Sequence, residues 1–266
     1  MLSKNRIKAS LQLIIVGLVL VASQLVAART GNDSSSVLEN SPLRVQEIVS
    51  RLQECNHART AALLKFNGTR VYRLQYRGFL GDRDAEMTVS LVYTFPDRKV
   101  FTVLSESGSR FVIDHILKGL LEAEKEAATS GNQLRTALNG ENYEFSLAGT
   151  ESSENGQQYV LNVIPKTDNK FLYRGRIWVD ANDFAVTRLE AEPAKSPSFW
   201  VKKSQISVSY EKVNGFWLPA ENRTRSWIRL GGYALLSIDY RDYAITETAP
   251  LNKVESALNS KETSTP

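Results

Sequence analysis

The 266-residue chain reads as mainly β with a minority of helix: a curved antiparallel sheet, bent into a half-open barrel and covered by two or three helices. Three observations predict this class. Apolar and polar side chains alternate over long stretches, turn-forming residues recur between those stretches, and only two segments carry helical spacing.

Lys4, Arg6 and Lys8 precede a mainly apolar run from Leu11 to Val21, and small residues end at Ala27 and Ala28, the order of a secretory signal peptide over residues 1–28. The run falls short of the roughly 20 helical residues that a bilayer core requires. Cleavage after Ala28 is therefore expected, with a retained anchor as the alternative. Cys55 is the only cysteine, so no internal disulfide is available, and it lies too far downstream to carry a lipid at the cleavage site.

Residues 29–37 are polar and read as a disordered leader to a single β domain over 38–247. Ser41 and Pro42 open a helix, with Val45, Ile48, Val49 and Leu52 on one face, that ends near Cys55 to His57. After Asn67-Gly68 the period becomes two, with Tyr72, Leu74 and Tyr76 on one side of a strand. A second strand alternates through Ala85, Met87, Val89, Leu91, Tyr93 and Phe95 until Pro96-Asp97. A third covers Lys99 to Leu104, and Ser105 to Ser109 breaks it.

Ile113, Ile116, Leu117, Leu120 and Leu121 then form the stripe of a second amphipathic helix, opposite Lys118, Glu122, Lys125 and Glu126, which Ser130-Gly131 closes. Its natural support is the sheet's concave face. Strands follow near 143–149, 158–165, 171–180, 184–192, 198–210, 216–228 and 233–246. Turns at Asn155-Gly156, Asn182-Asp183, Asn214-Gly215 and Gly231-Gly232 make them an up-and-down meander. Residues 248–266 read as a disordered tail.

Without residues 1–28 the chain loses three positive charges and no carboxylate, leaving 30 basic against 29 acidic side chains. The sequence pI of 9.1 thus overstates its basicity, and no basic stripe interleaved with aromatics is present, which argues against nucleic acid as a partner. No nucleophile elbow, paired-histidine metal motif, Cys-x-x-Cys or phosphate-cradling loop occurs, so no catalytic residue, metal or cofactor is implied. His57 and His115 are too few for a usual catalytic zinc site. Asp114-His115 reads as a structural pair at a helix start, and Cys55 as a small buried hydrophobe. Arg223, Arg225 and Arg229 line one side of a late strand, either as a solvated face or as a grip for acidic head groups.

The apolar faces are more informative. Two helices are few to roof about ten strands, so an apolar concavity is expected to remain. Its candidate lipid-binding walls are Tyr72, Leu74, Tyr76, Met87, Val89, Leu91 and Tyr93, with Ile113, Ile116, Leu117 and Leu120 as lid. The alternative is a barrel that fills itself with its own side chains.

Two hairpins carry a family likeness. Arg176-Ile177-Trp178-Val179-Asp180 turns through Asn182-Asp183 into Ala185-Val186-Thr187-Arg188-Leu189, and Tyr210-Glu211-Lys212-Val213-Asn214-Gly215-Phe216-Trp217-Leu218-Pro219 forms the next. With the order of elements over residues 38 to 247, they resemble the LolA-like superfamily of outer-membrane lipoprotein-sorting proteins. The resemblance implies a half-open β-barrel lidded by helices whose concave side accepts acyl chains. From it follow the expectations of a periplasmic, non-enzymatic binding or carrier protein for a lipid or acylated lipoprotein. An envelope stress sensor or interaction module, partnered by envelope membrane proteins, is the alternative on the same fold.

Overall fold

In the computed structural model the described residues are 44–250, apart from 80, 155, 170, 197, 198 and 230. The expected signal peptide and leader, and the tail beyond residue 250, lie outside them.

Ten strands form one antiparallel sheet: β1 (Leu63–Arg77), β2 (Arg83–Thr94), β3 (Arg98–Gly108), β4 (Tyr143–Ser153), β5 (Gly156–Pro165), β6 (Tyr173–Asp180), β7 (Val186–Pro193), β8 (Val201–Val213), β9 (Phe216–Ile228) and β10 (Tyr233–Thr248). Their order is β3-β2-β1-β10-β9-β8-β7-β6-β5-β4. The meander from β4 to β10 is extended by β1, β2 and β3, and β3 and β4 remain as edges. The sheet is a curved barrel that does not close.

Helix α1 (Val45–Ala62) runs straight into β1. After β3, α2 (Arg110–Val112) continues through a π-helical turn, Ile113–Leu117, into α3 (Lys118–Ala128), and α4 (Ser130–Thr136) follows. This helical link carries the chain from one edge of the sheet to the other. It had to bury its apolar stripe, and it does so on β1, β2 and β10. Val112, Ile113, Ile116, Leu117, Leu120 and Leu121 pack against Tyr72, Leu74, Met87, Val89, Leu236 and Ile238. α1 covers the other half of the sheet, where Ile48, Val49 and Leu52 meet Leu161, Val163, Ile177, Val179, Leu189 and Val208. A smaller cluster holds Leu63, Phe66, Leu91, Tyr93 and Leu218.

The turn chemistry is as expected where the turn is local. Asn214 and Gly215 have φ of 49° and 88°, the positive pair that a two-residue hairpin between β8 and β9 demands. Gly232, at φ 90°, lies so close to β1 that a Cβ would stand 2.1 Å from the Arg77 carbonyl oxygen.

Four boundaries differ from the expectation. Asn67-Gly68 is not a break: β1 runs through it with only a register shift against β10, and the Tyr243 ring comes so close to Gly68 that a Cβ would be 3.2 Å from ring carbons. α1 continues past His57 to Ala62. β3 passes through Ser105 to Gly108, since Glu106, Ser107 and Gly108 pair with Met87, Glu86 and Ala85 of β2. The second helix ends at Ala128, and Ser130-Gly131 begins α4 rather than closing its predecessor.

Leu117 is fully buried at the end of the π turn. Leu117→Ala is expected to destabilise the protein by about 2–5 kcal/mol, the usual cost of a large-to-small change in a closed core, read from the urea midpoint.

Candidate ligand-binding hollow

Where the three clusters meet, the interior is left unfilled. A hollow of about 140 Å³ lies there, walled by Leu63, Phe66, Tyr93, Leu138, Tyr173, Leu189, Tyr210, Leu218 and Tyr243. Half-buried lining residues include Asn56, Arg59 and Thr60 near the end of α1, Gln133 of α4, and Phe216 and Trp217 of the β8–β9 hairpin.

The mouth is built by the two hairpins that carry the family likeness. Asp180 Oδ1 accepts hydrogen bonds from the backbone N–H groups of Asn182 and Asp183 at 2.9 and 2.7 Å, which fixes the β6–β7 turn. The Asp183 carboxylate then accepts from Trp217 Nε1 at 2.8 Å and from Lys212 Nζ at 2.5 Å, joining that turn to the next hairpin. Arg59 reaches across from α1 and donates to the Asp183 and Phe184 carbonyls at 2.6 and 2.9 Å. Burial lowers its pKa against the pull of Asp183 and Asp180, and it forms no ion pair among the described residues.

Deeper in the wall are charges. Arg70 of β1, Lys99 of β3 and Glu124 of α3 form a buried triad: Arg70 Nη1 donates to Glu124 Oε2, and Lys99 Nζ donates to Glu124 Oε1 at 2.8 Å. Their side chains are 6%, 7% and 0% exposed. Arg70 also lies over the rings of Phe101 and Tyr240, at 5.4 and 5.0 Å. Burial alone would raise the Glu124 pKa, but the two cations prevail and hold it down at about 2. Lys99 goes the other way, lowered by burial and by Arg70 more than Glu124 raises it. Arg70 and Lys99 line the hollow whereas Glu124 does not, and no Asp or Glu among the described residues lines it.

The residues expected to form lipid-binding walls are placed differently. Tyr72, Leu74, Met87, Val89, Ile113, Ile116, Leu117 and Leu120 are brought together, but they close on one another, with Tyr76 packed beside them. Leu91 and Tyr93 belong to the smaller cluster, and of the eleven only Tyr93 faces the hollow. The interior space thus lies toward β7, β8 and the end of α1 rather than beneath the second helix. Sequence reasoning missed Arg59, Arg70, Lys99 and Glu124.

Arg223 and Arg225 lie on the sheet face away from the helices and do not reach the hollow. Arg223 pairs with Glu221 and Asp239, Arg225 lies beside the Trp227 and Tyr233 rings, and Arg229 lies over Phe199 in the following turn. Asp114 pairs with Lys118 within the helical link, and His115 packs on the Phe111 ring at 5.0 Å. Cys55 is a half-buried thiol on α1.

Residues 137–239, less than half of the chain, match the model of a family of unknown function (DUF5686). No curated protein matches the chain. Among solved structures, the chain is similar to a DUF1329 family protein from Desulfovibrio piger, with 13% identity, a TM-score of 0.37, and 75% of this chain and 91% of that one covered. It is similar in the same way to a domain assigned to outer-membrane lipoprotein sorting from Vibrio parahaemolyticus, at 13% identity and TM-score 0.37, covering 79% and 97%. A LolA superfamily protein from Nitrosomonas europaea has 15% identity and a TM-score of 0.34, covering 80% and 97%.

A carboxylate held below its unfolded pKa contributes stability above that value and loses it as pH falls toward the folded one. For Glu124 that window runs from its ordinary 4.5 down to about 2. Glu124→Gln is expected to cost about 3–5 kcal/mol near neutral pH, because two buried cations lose their counterion, and to flatten the decline in stability across that window. Urea unfolding at a series of pH values measures both.

Proposed function

We propose that the protein is a periplasmic binding or carrier protein that holds an acyl chain of a lipid or lipoprotein inside its half-open barrel. The observation that supports this reading is the unfilled hollow: it has aromatic and aliphatic walls and opens beside the end of α1 and the β8–β9 hairpin. Interiors are ordinarily packed without voids of this size. Each methylene transferred from water into such walls is worth about 0.8 kcal/mol, so affinity arises without elaborate polar contacts.

Volume sets the scale of the guest. A dry cavity of about 150 Å³ accommodates a benzene ring, so the hollow as it stands takes a ring or a short length of chain. A longer chain needs more room, and the adjacent wall is the helical link. If α2 and α3 part from the sheet, Tyr72, Leu74, Tyr76, Met87, Val89 and Leu91 become wall, and Ile113, Ile116, Leu117 and Leu120 become lid. The π turn at Ile113–Leu117 stands where that parting would begin, and such turns commonly mark functional positions in helices.

Ala128 lines the hollow at the end of α3 and is 2% exposed. Ala128→Leu is expected to fill part of the space and to weaken binding of an apolar fluorescent probe by about tenfold, the loss of roughly two methylenes' worth of burial. The thermal midpoint should fall by less than for Leu117→Ala. Native mass spectrometry of the purified chain provides the second readout. A chain that carries no lipid and takes up no probe overturns the reading.

A further inference from the structure

The hollow's charge is not that of a purely apolar pocket. Arg70, Lys99 and Arg59 line it, no Asp or Glu among the described residues does, and the Glu124 carboxylate that pairs with Arg70 and Lys99 is not part of the lining. The triad sums to one positive charge. Arg70 makes both of its hydrogen bonds through Nη1, to Glu124 and to the Tyr72 hydroxyl at 3.3 Å, so its Nε and Nη2 have no hydrogen-bond partner among the described residues. A guanidinium carries five N–H donors in a fixed fork that matches a carboxylate. A guanidinium with donors to spare favours an acceptor in the hollow that it lines.

We propose that the hollow is an anion-recognising site whose guest is a single-chain amphiphile with one carboxylate at its head, of the fatty-acid class, seated against Arg70 and Lys99 with its chain among Phe66, Tyr93, Leu218 and Tyr243. The inference rests on the binding function proposed above and names its ligand class. One monoanion balances the triad, and a second carboxylate opposite Glu124 completes an alternating arrangement of two cations between two acids. A dianionic phosphate head exceeds that balance and is larger in a space of about 140 Å³.

The test compares octanoic acid with 1-octanol on the full chain at pH 8, by isothermal titration calorimetry and by displacement of an apolar fluorescent probe. A charge-assisted hydrogen bond is worth about 1.5–3 kcal/mol, so the acid is expected to bind roughly 10- to 100-fold more tightly than the alcohol. Lys99→Met leaves a balanced Arg70–Glu124 pair, and exchange of a buried charge for an apolar side chain of similar size is often neutral for stability. In that variant the preference for the acid, read as the ratio of the two affinities, should collapse to less than about threefold, since the head-group charge is what has changed. If Lys99→Met does not fold, the comparison on the unaltered chain still decides.

Probe binding with equal affinity for acid and alcohol overturns the inference and leaves the acyl-binding reading standing. Absence of any probe, acid or alcohol binding overturns both. Octyl phosphate binding more tightly than octanoate overturns the assignment of a carboxylate head.

Discussion

A sheet of ten strands that bends without closing has one broad apolar face and two unpaired edges, and everything else in the molecule answers to that condition. The chain covers the face with the little helix it has. α1 takes the half formed by β5 to β8, and the link from α2 to α3 takes the half formed by β1, β2 and β10. Each cover buries large aliphatic side chains to completion. Neither reaches the zone between them, where the start of β1, the β8–β9 hairpin and the end of β10 converge, and the hollow is the space that results. Its position follows from where two short helices can rest.

The second helical segment is tied down by more than apolar contact. Glu124 places a carboxylate between Arg70 on the interior strand β1 and Lys99 on the edge strand β3, so α3 is fixed to two strands at one point. A buried ion cluster of this kind adds little net stability relative to apolar side chains of the same volume, since desolvation offsets most of the attraction. What it adds is specificity of placement. Apolar stripes tolerate sliding by a turn, whereas a carboxylate with two fixed donors does not. The hollow's inner wall is therefore held by the same contact that gives it its charge.

Most of the architecture was legible because alternation and helical spacing are local properties. The same locality explains the errors. Asn214-Gly215 and Asn67-Gly68 are the same dipeptide, yet one turns the chain and the other lies within a strand. What separates them is the Tyr243 ring lying on Gly68, a contact made far along the chain. The hollow's place was not legible for a related reason: periodicity tells which face of a strand is apolar but not which apolar faces meet and fill. The triad did leave a signal. Glu124 stands four residues after Leu120 and seven after Leu117, on the apolar stripe rather than opposite it. Arg70 is in phase with Tyr72 and Leu74, and Lys99 with Phe101. Three charges on faces that are otherwise apolar mark a buried cluster, visible before any coordinates, though their convergence depends on β1, β3 and α3 meeting.

The sharing of one carboxylate between two cations has an unequal consequence for the partners. A guanidinium does not release its proton in a protein, so Arg70 stays charged whatever its surroundings. Lys99 is the cation that yields: burial and Arg70 depress its pKa against the pull of Glu124. The phenols near the cluster, Tyr72, Tyr240 and Tyr243, are pushed upward by burial and stay neutral, so they supply no counter-charge. An anion seated against Lys99 would raise its pKa, so a carboxylate guest and the Lys99 proton must favour each other.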